Sequence, residues 1–313
     1  MRRSLLALLA ALTLAALAAG CAESGAGADA GEIADRKVRV TTTTNFITDL
    51  ARQIGGDRVE VEGLMGPGVD PHLYKASAGD VERLGEADLV LYGGLELEGK
   101  MGDVLAELGE RKATVAVTRD MPRDELLGEP GFEGRYDPHV WFDVGLWMEA
   151  ARTAADALAD VDPRNRATYE RNLDLYLGRL EALDEYARER LATVPERRRV
   201  LVTSHDAFRY LGRRYNLDVV AIQGVSTATE ATTADVERVA RTIAERGVKA
   251  VFVESSVPPQ TIEAVLASAR RQGGNARIGG ELFSDAAGDE GTPEGTYEGM
   301  VRHNVDAIVE GLR

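Results

Sequence analysis

Four histidines occur in the 313-residue chain, and two of them, His72 and His139, close the same tripeptide, Asp-Pro-His, at 70–72 and 137–139. Imidazole nitrogens joined by one carboxylate suit a borderline divalent ion such as Zn²⁺ and tolerate Mn²⁺ or Fe²⁺. Proline fixes its own φ and pushes the preceding aspartate out of the α region, so each Asp-Pro reads as a helix start with its histidine in the first turn. Either copy alone would pass for an ordinary cap with an incidental histidine. The repetition, in a chain so poor in histidine, points to a shared task. His205 ends the run "RVLVTSH", and ligands of open α/β sheets collect outside the carboxyl ends of strands. Asp285, in "GGELFSD", follows the last strand candidate and could face the same cleft, but its own spacing does not single it out among 52 acidic residues. His303 sits inside a continuous C-terminal helical pattern and reads as structural. A nucleophile elbow G-x-S-x-G and a zinc-protease H-E-x-x-H are both absent from the sequence.

The elements that would position these residues begin at Val38, where short β-rich runs alternate with helix-length amphipathic segments, the pattern of an α/β sheet. "VRVTTTT", "VEVEGLM", "ADLVLYGG" and "ATVAVT" form a first series of strand candidates; "RVLVTSH", "DVVAIQG", "KAVFVESS" and "ARIGGELF" form a second. Helical stretches between them allow parallel pairing within each series. The spacing predicts two similar lobes, over 37–160 and 196–313, joined by a helical segment over 161–195. In that segment Asp162-Pro163 reads as a cap with proline at the first helical position. Leu173, Leu177, Leu180, Leu183, Ala187 and Leu191 recur at three and four residues, an apolar stripe. A helix from Pro163 to Thr193 would be roughly 45 Å long at 1.5 Å per residue and would resist wide hinge opening.

Residues 1–20 carry Arg2 and Arg3, an apolar run from Leu5 to Ala19 and Gly20, and read as a secretory signal. The run is shorter than the ~20 apolar residues of a spanning helix, so no transmembrane segment is expected in the mature chain. Cys21, the only cysteine, follows "LAAG", which resembles the lipobox of bacterial lipoproteins; cleavage without lipidation would leave a spare thiol. Either way the compartment is extracytoplasmic. The acidic, small-residue stretch over 21–36 reads as a flexible tether. The net charge is 37 − 52 = −15, which argues against nucleic acid or an anionic membrane face as partner. The chain is expected to be a monomer.

Five ordered blocks carry a family resemblance: "DPHLYKASAGDVERLGEADLVLYGGLELEGKM", "YDPHVWFDV", "LVTSHDAFRYLGRRYNLDVVAIQGVSTATEAT", "VFVESSVPPQTIEAVL" and "LFSDAAG…GTYEGMVRHNVDAI". Through them the chain resembles the metal-binding solute-binding proteins of bacterial ABC importers, the TroA and ZnuA type. The resemblance implies two α/β lobes, each with a four-stranded parallel sheet, one long backbone helix, and a Zn²⁺ or Mn²⁺ ion buried between the lobes. It implies His72 and His139 as ligands from the first lobe, His205 and Asp285 from the second, and a membrane permease as partner. Manganese-dedicated members carry glutamate where this chain has His205. Zinc-dedicated members often carry a long histidine-rich loop before the second histidine, and the corresponding "TRDMPRDELLGEPGFEGRYDPHV" has acids but one histidine. Asp70, Asp137 and Asp206 are candidates, by adjacency, for orienting the imidazoles. Two other functions fit parts of this pattern: a zinc hydrolase with three histidine ligands and Asp285 as general base, and a lipid-anchored surface adhesin with a metal site.

Overall fold

The computed structural model describes Ile33 and residues 36–313, apart from Glu133. The signal segment, Cys21 and most of the tether lie outside the described residues. In the first lobe β1 (Val38–Thr42), β2 (Val59–Gly63), β3 (Leu89–Tyr92) and β4 (Ala113–Ala116) pair in parallel in the order β2-β1-β3-β4. α1 (Asn45–Gly55), α2 (Ala78–Glu86) and α3 (Gly102–Gly109) fall between successive strands, as parallel pairing demands. The inner strands β1 and β3 are almost wholly buried, which explains why they read as apolar runs with little alternation.

α4 (Val144–Val161) and α5 (Arg166–Ala192) then form an antiparallel pair. The second lobe contains β5 (Val200–Thr203), α6 (Arg209–Tyr215), β6 (Asp218–Ala221), α7 (Thr233–Arg246), β7 (Ala250–Glu254), α8 (Gln260–Arg271), β8 (Arg277–Leu282) and α9 (Tyr297–Leu312). Its strands pair in parallel as β5-β6 and β7-β8. β5 and β7 run side by side, but among the described residues no backbone ladder joins them, so the second lobe holds two two-stranded parallel sheets in place of the single four-stranded sheet expected. Their carboxyl ends are joined through a side chain: Glu254 Oε1 accepts the amides of Ser204 and His205 at 2.7 and 3.0 Å.

Three local expectations change. Neither Asp-Pro-His opens an α-helix: Asp70 Oδ1 accepts the His72 amide at 2.8 Å and Asp137 Oδ1 accepts the His139 amide at 3.0 Å, closing Asx turns. The helices start later, at side chains that can cap them. Ser77 and Asp80 form a reciprocal capping box on α2, and Asp143 accepts the Gly145 and Leu146 amides at the start of α4. Pro163 begins a short 3₁₀ turn, and α5 starts at Arg166. Asp162 is not its cap. Buried, it accepts from Asn165, Arg58 and the Tyr169 hydroxyl. Finally, the buried face of α5 begins with Tyr169 and Tyr176, ahead of Leu180, Leu183, Ala187 and Leu191, while Leu173 and Leu177 are half-buried beside it. At 27 residues α5 is about 40 Å long.

One buried cluster spans both lobes, beside a smaller one around Val202, Ile243 and Val265 in the second lobe and another around Leu84, Val90 and Leu105 in the first. Leu50 of α1, Trp147 of α4, Leu183 of α5 and Val305 of α9 belong to one buried cluster. Trp147 stacks on Tyr297 at 4.7 Å, and the Tyr297 hydroxyl donates to the Trp141 carbonyl at 2.7 Å.

Candidate metal centre

His72, His139, His205 and Asp285 converge at the cleft between the lobes. Each offers one ligand atom, and these atoms all lie within 4.8 Å of one another. The Nε2 atoms of His72 and His205 each stand 3.4 Å from Nε2 of His139. Asp285 places Oδ1 3.5 Å from His139 Nε2 and Oδ2 3.3 Å from His205 Nε2. His303 is elsewhere, on α9, donating from Nε2 to the Glu281 carbonyl at 3.1 Å and packing on Phe283.

Each position follows from the local chain. His72 sits in the Asx turn after β2, and His139 in the second Asx turn, one residue before a 3₁₀ turn at Val140–Phe142. His205 follows β5 by two residues and Asp285 follows β8 by three, the strand ends where an α/β cleft forms. The Asp285 loop is gripped on both sides. Asn304 of α9, fully buried, accepts the Phe283 amide at 2.9 Å and donates to the Phe283 carbonyl at 2.7 Å. Asn45 of α1, in the opposite lobe, does the same to Ala287, both bonds at 2.8 Å. Between them Trp141 donates its indole N–H to the Ser284 carbonyl at 3.0 Å.

The imidazoles are held unequally. His139 Nδ1 lies 2.7 Å from Asp137 Oδ1, and His205 Nδ1 lies 2.5 Å from Glu254 Oε2. A carboxylate on Nδ1 fixes that nitrogen as the donor and turns Nε2 toward the cleft as a free lone pair. Of the three aspartates proposed for orienting rings, only Asp137 touches one. Asp70 holds the His72 backbone, and Asp206 faces Arg209 at 3.7 Å. For His205 the group is Glu254, 49 residues away along the chain; no adjacency rule reaches it. The same holds for Asn45 and Asn304, whose signal is contact alone.

Charges at the site reinforce one another. Burial lowers His139, but Asp137 and Asp285 outweigh it and push its pKa up to about 9. His205 is likewise lowered by burial and raised more by Asp285 and Glu254, ending well above its ordinary value. His72 lacks a carboxylate that near, and burial takes it down to about 3. Burial raises Asp285, yet His205 and His139 hold it well below the usual carboxylate range. Both Asp285 oxygens are buried without a hydrogen-bond partner. Three Nε2 atoms and a carboxylate, all aimed at one point, make a set for a divalent ion that displaces the protons of His139 and His205.

The chain is 46% identical over 304 residues to the manganese-binding lipoprotein MntA of Bacillus subtilis, covering 96% of this chain and 99% of the relative. It is 47% identical over 279 residues to the zinc-binding protein TroA of Treponema pallidum, covering 89% of this chain and 90% of the relative. The solved structure of periplasmic zinc-binding TroA from Treponema pallidum superposes with a TM-score of 0.86 at 46% identity, covering 88% of this chain and all of the other. With residues 40–311 matching the family described as ZnuA, zinc-uptake complex component A, periplasmic, the chain belongs to that family of metal-binding proteins.

Proposed function

We propose that the protein binds a divalent transition-metal ion outside the cytoplasm, Zn²⁺ by preference and Mn²⁺ as the alternative cargo, and delivers it to the permease of an ABC importer. His72, His139, His205 and Asp285 are the proposed ligands. The observation that carries this reading is convergence: His72, His139, His205 and Asp285, all buried, each offer one ligand atom within 4.8 Å of the others, with Asp285 beside two imidazole nitrogens. Relatives are named for manganese and for zinc; the preference for zinc rests on three nitrogen ligands against one oxygen.

The transport reading divides the chain into a signal over 1–20, a tether over 21–36 with Cys21 lipidated, lobes over 37–160 and 196–313, and a joining segment over 161–195. The anchored protein works as a monomer and carries out no reaction. A hydrolase would keep Asp285 off the ion as a base and leave the fourth position to water. The closeness of Asp285 to His139 and His205 favours its use as a ligand. Elemental analysis with calorimetric titration of Zn²⁺ and Mn²⁺ tests the reading. The expectation is about one tight ion per chain and a loss of roughly a hundredfold or more in His205→Ala. Unchanged affinity in that variant would remove His205 from the site.

A further inference from the structure

Two of the four proposed ligands are built into contacts that cross the cleft, and a third, His205, is fixed within its own lobe. The carbonyl of Asp137, which holds the His139 ring, accepts the Tyr210 hydroxyl of α6 at 2.9 Å, and its Oδ2 lies 3.3 Å from Arg209. His205 is fixed to Glu254, and the Asp285 loop is gripped from the first lobe by Asn45 and Trp141.

His72 differs. Among the described residues no protein group hydrogen-bonds its Nδ1, and it is 4% exposed where the other three are 0%. The next residue, Leu73, is 49% exposed. The turn carrying His72 approaches the second lobe at Gly68, where φ is +69° and an added Cβ would stand 3.3 Å from the Ser255 carbonyl. Its one cross-cleft hydrogen bond among the described residues comes from Thr227. The buried Thr227 hydroxyl donates to Asp70 Oδ2 at 2.6 Å, while Asp70 Oδ1 accepts the His72 amide at 2.8 Å. A single carboxylate thus ties the loop after β6 to the backbone of one ligand.

We propose that Thr227 is a positioning residue that latches the His72 turn across the cleft, through Asp70, and thereby sets how fast a bound ion escapes. The proposal rests on the metal-binding reading. With the latch broken, His72 moves away while the other three ligands stay on their framework. The ion is then left with three protein ligands and an opening on the His72 side. Capture depends less on the latch, because an incoming ion meets three ligands that are already placed.

Stopped-flow chelator competition on Zn²⁺-loaded full-length protein tests this, with association measured separately by mixing Zn²⁺ with ion-free protein. Thr227→Val is expected to speed escape about tenfold, the loss of one hydrogen bond to a charged group, with association nearly unchanged. Thr227→Ser, which restores the hydroxyl, is expected to release at the wild-type rate. Asp70→Asn keeps an oxygen for the His72 amide and weakens the bond from Thr227, so it too is expected to speed escape. Wild-type escape in Thr227→Val or Asp70→Asn, or equally fast escape in the serine and valine variants, would overturn the latch. Failure of the metal-binding reading shows differently: the wild type itself would then hold no ion.

Discussion

Glu254 decides which nitrogen of His205 is free for an ion. With its carboxylate 2.5 Å from Nδ1, Nδ1 keeps its hydrogen when the ring is neutral and Nε2 then carries the lone pair. Glu254→Gln keeps an oxygen for the Ser204 and His205 amides but turns an N–H₂ toward Nδ1, which favours the wrong tautomer. Zn²⁺ affinity is expected to fall roughly 10- to 100-fold by calorimetry, with the fold intact by circular dichroism. Unchanged affinity would mean the ring is oriented by the ion alone. The pH dependence follows from the same groups. In the ion-free site His139 keeps its proton up to about pH 9 and His205 is also raised, whereas His72, at about 3, is already neutral. An ion needs neutral imidazoles. Binding near neutral pH is therefore expected to expel about one to two protons, and affinity to rise with pH, about tenfold per unit for each proton displaced, until His139 is neutral on its own. Calorimetry in buffers of different ionisation enthalpy counts those protons; a heat independent of buffer would contradict the assignment. The repeated Asp-Pro-His and the strand-end His205 were legible as residues because histidine is scarce and their settings are local. Asp285 was legible only through the family resemblance, since one aspartate among many has no spacing of its own. Glu254 was not legible at all, because its partner is distant in the chain.

Short parallel strands place the ligands at one edge, and asparagines on helices make the placement firm. Asn304 and Asn45 bracket Asp285 by pairing with the backbone on either side of it. Asn304→Ala leaves a buried amide and carbonyl unpaired. It is expected to cost about 1–3 kcal/mol in chemical denaturation and to loosen Asp285 enough to weaken ion binding. Full stability in that variant would show that water replaces the amide without penalty. The strands were legible because runs such as "VLVT" and "LVLY" are short, apolar, valine-containing and bounded by polar or glycine-rich segments. Helix starts were less so. Proline at 71 and 138 reads as a helix start, but the aspartate before it accepts the amide two residues ahead and closes a turn, and Ser77 and Asp143 cap the helices that follow. Tyr169 and Tyr176 escaped the leucine stripe because their hydroxyls, bonded to Asp162 and Trp147, let a polar-tipped residue be fully buried.

One buried cluster runs from the first sheet through α4 and α5 to α9, so the lobes share a core and cannot part like two bodies on a flexible linker. Leu183→Ala, in the middle of α5, is expected to cost about 2–5 kcal/mol and to lower a single cooperative unfolding transition; two separate transitions would mean the lobes fold independently. The same continuity bounds the functional motion. Solution scattering of the described chain is expected to give a radius of gyration of roughly 19 Å with and without ion, since only the His72 side is lightly tied. A change of several ångströms on binding would replace the latch by a wide hinge. One divalent ion is expected to sit between three histidines and an aspartate from both lobes. Diffraction from ion-loaded crystals, with anomalous data at the zinc edge, tests it most directly, because element and ligands are read together. One peak is expected, with His72, His139, His205 and Asp285 as its protein ligands at about 2.0–2.2 Å. A peak elsewhere, or an ion held by the histidines with water in place of Asp285, would contradict it.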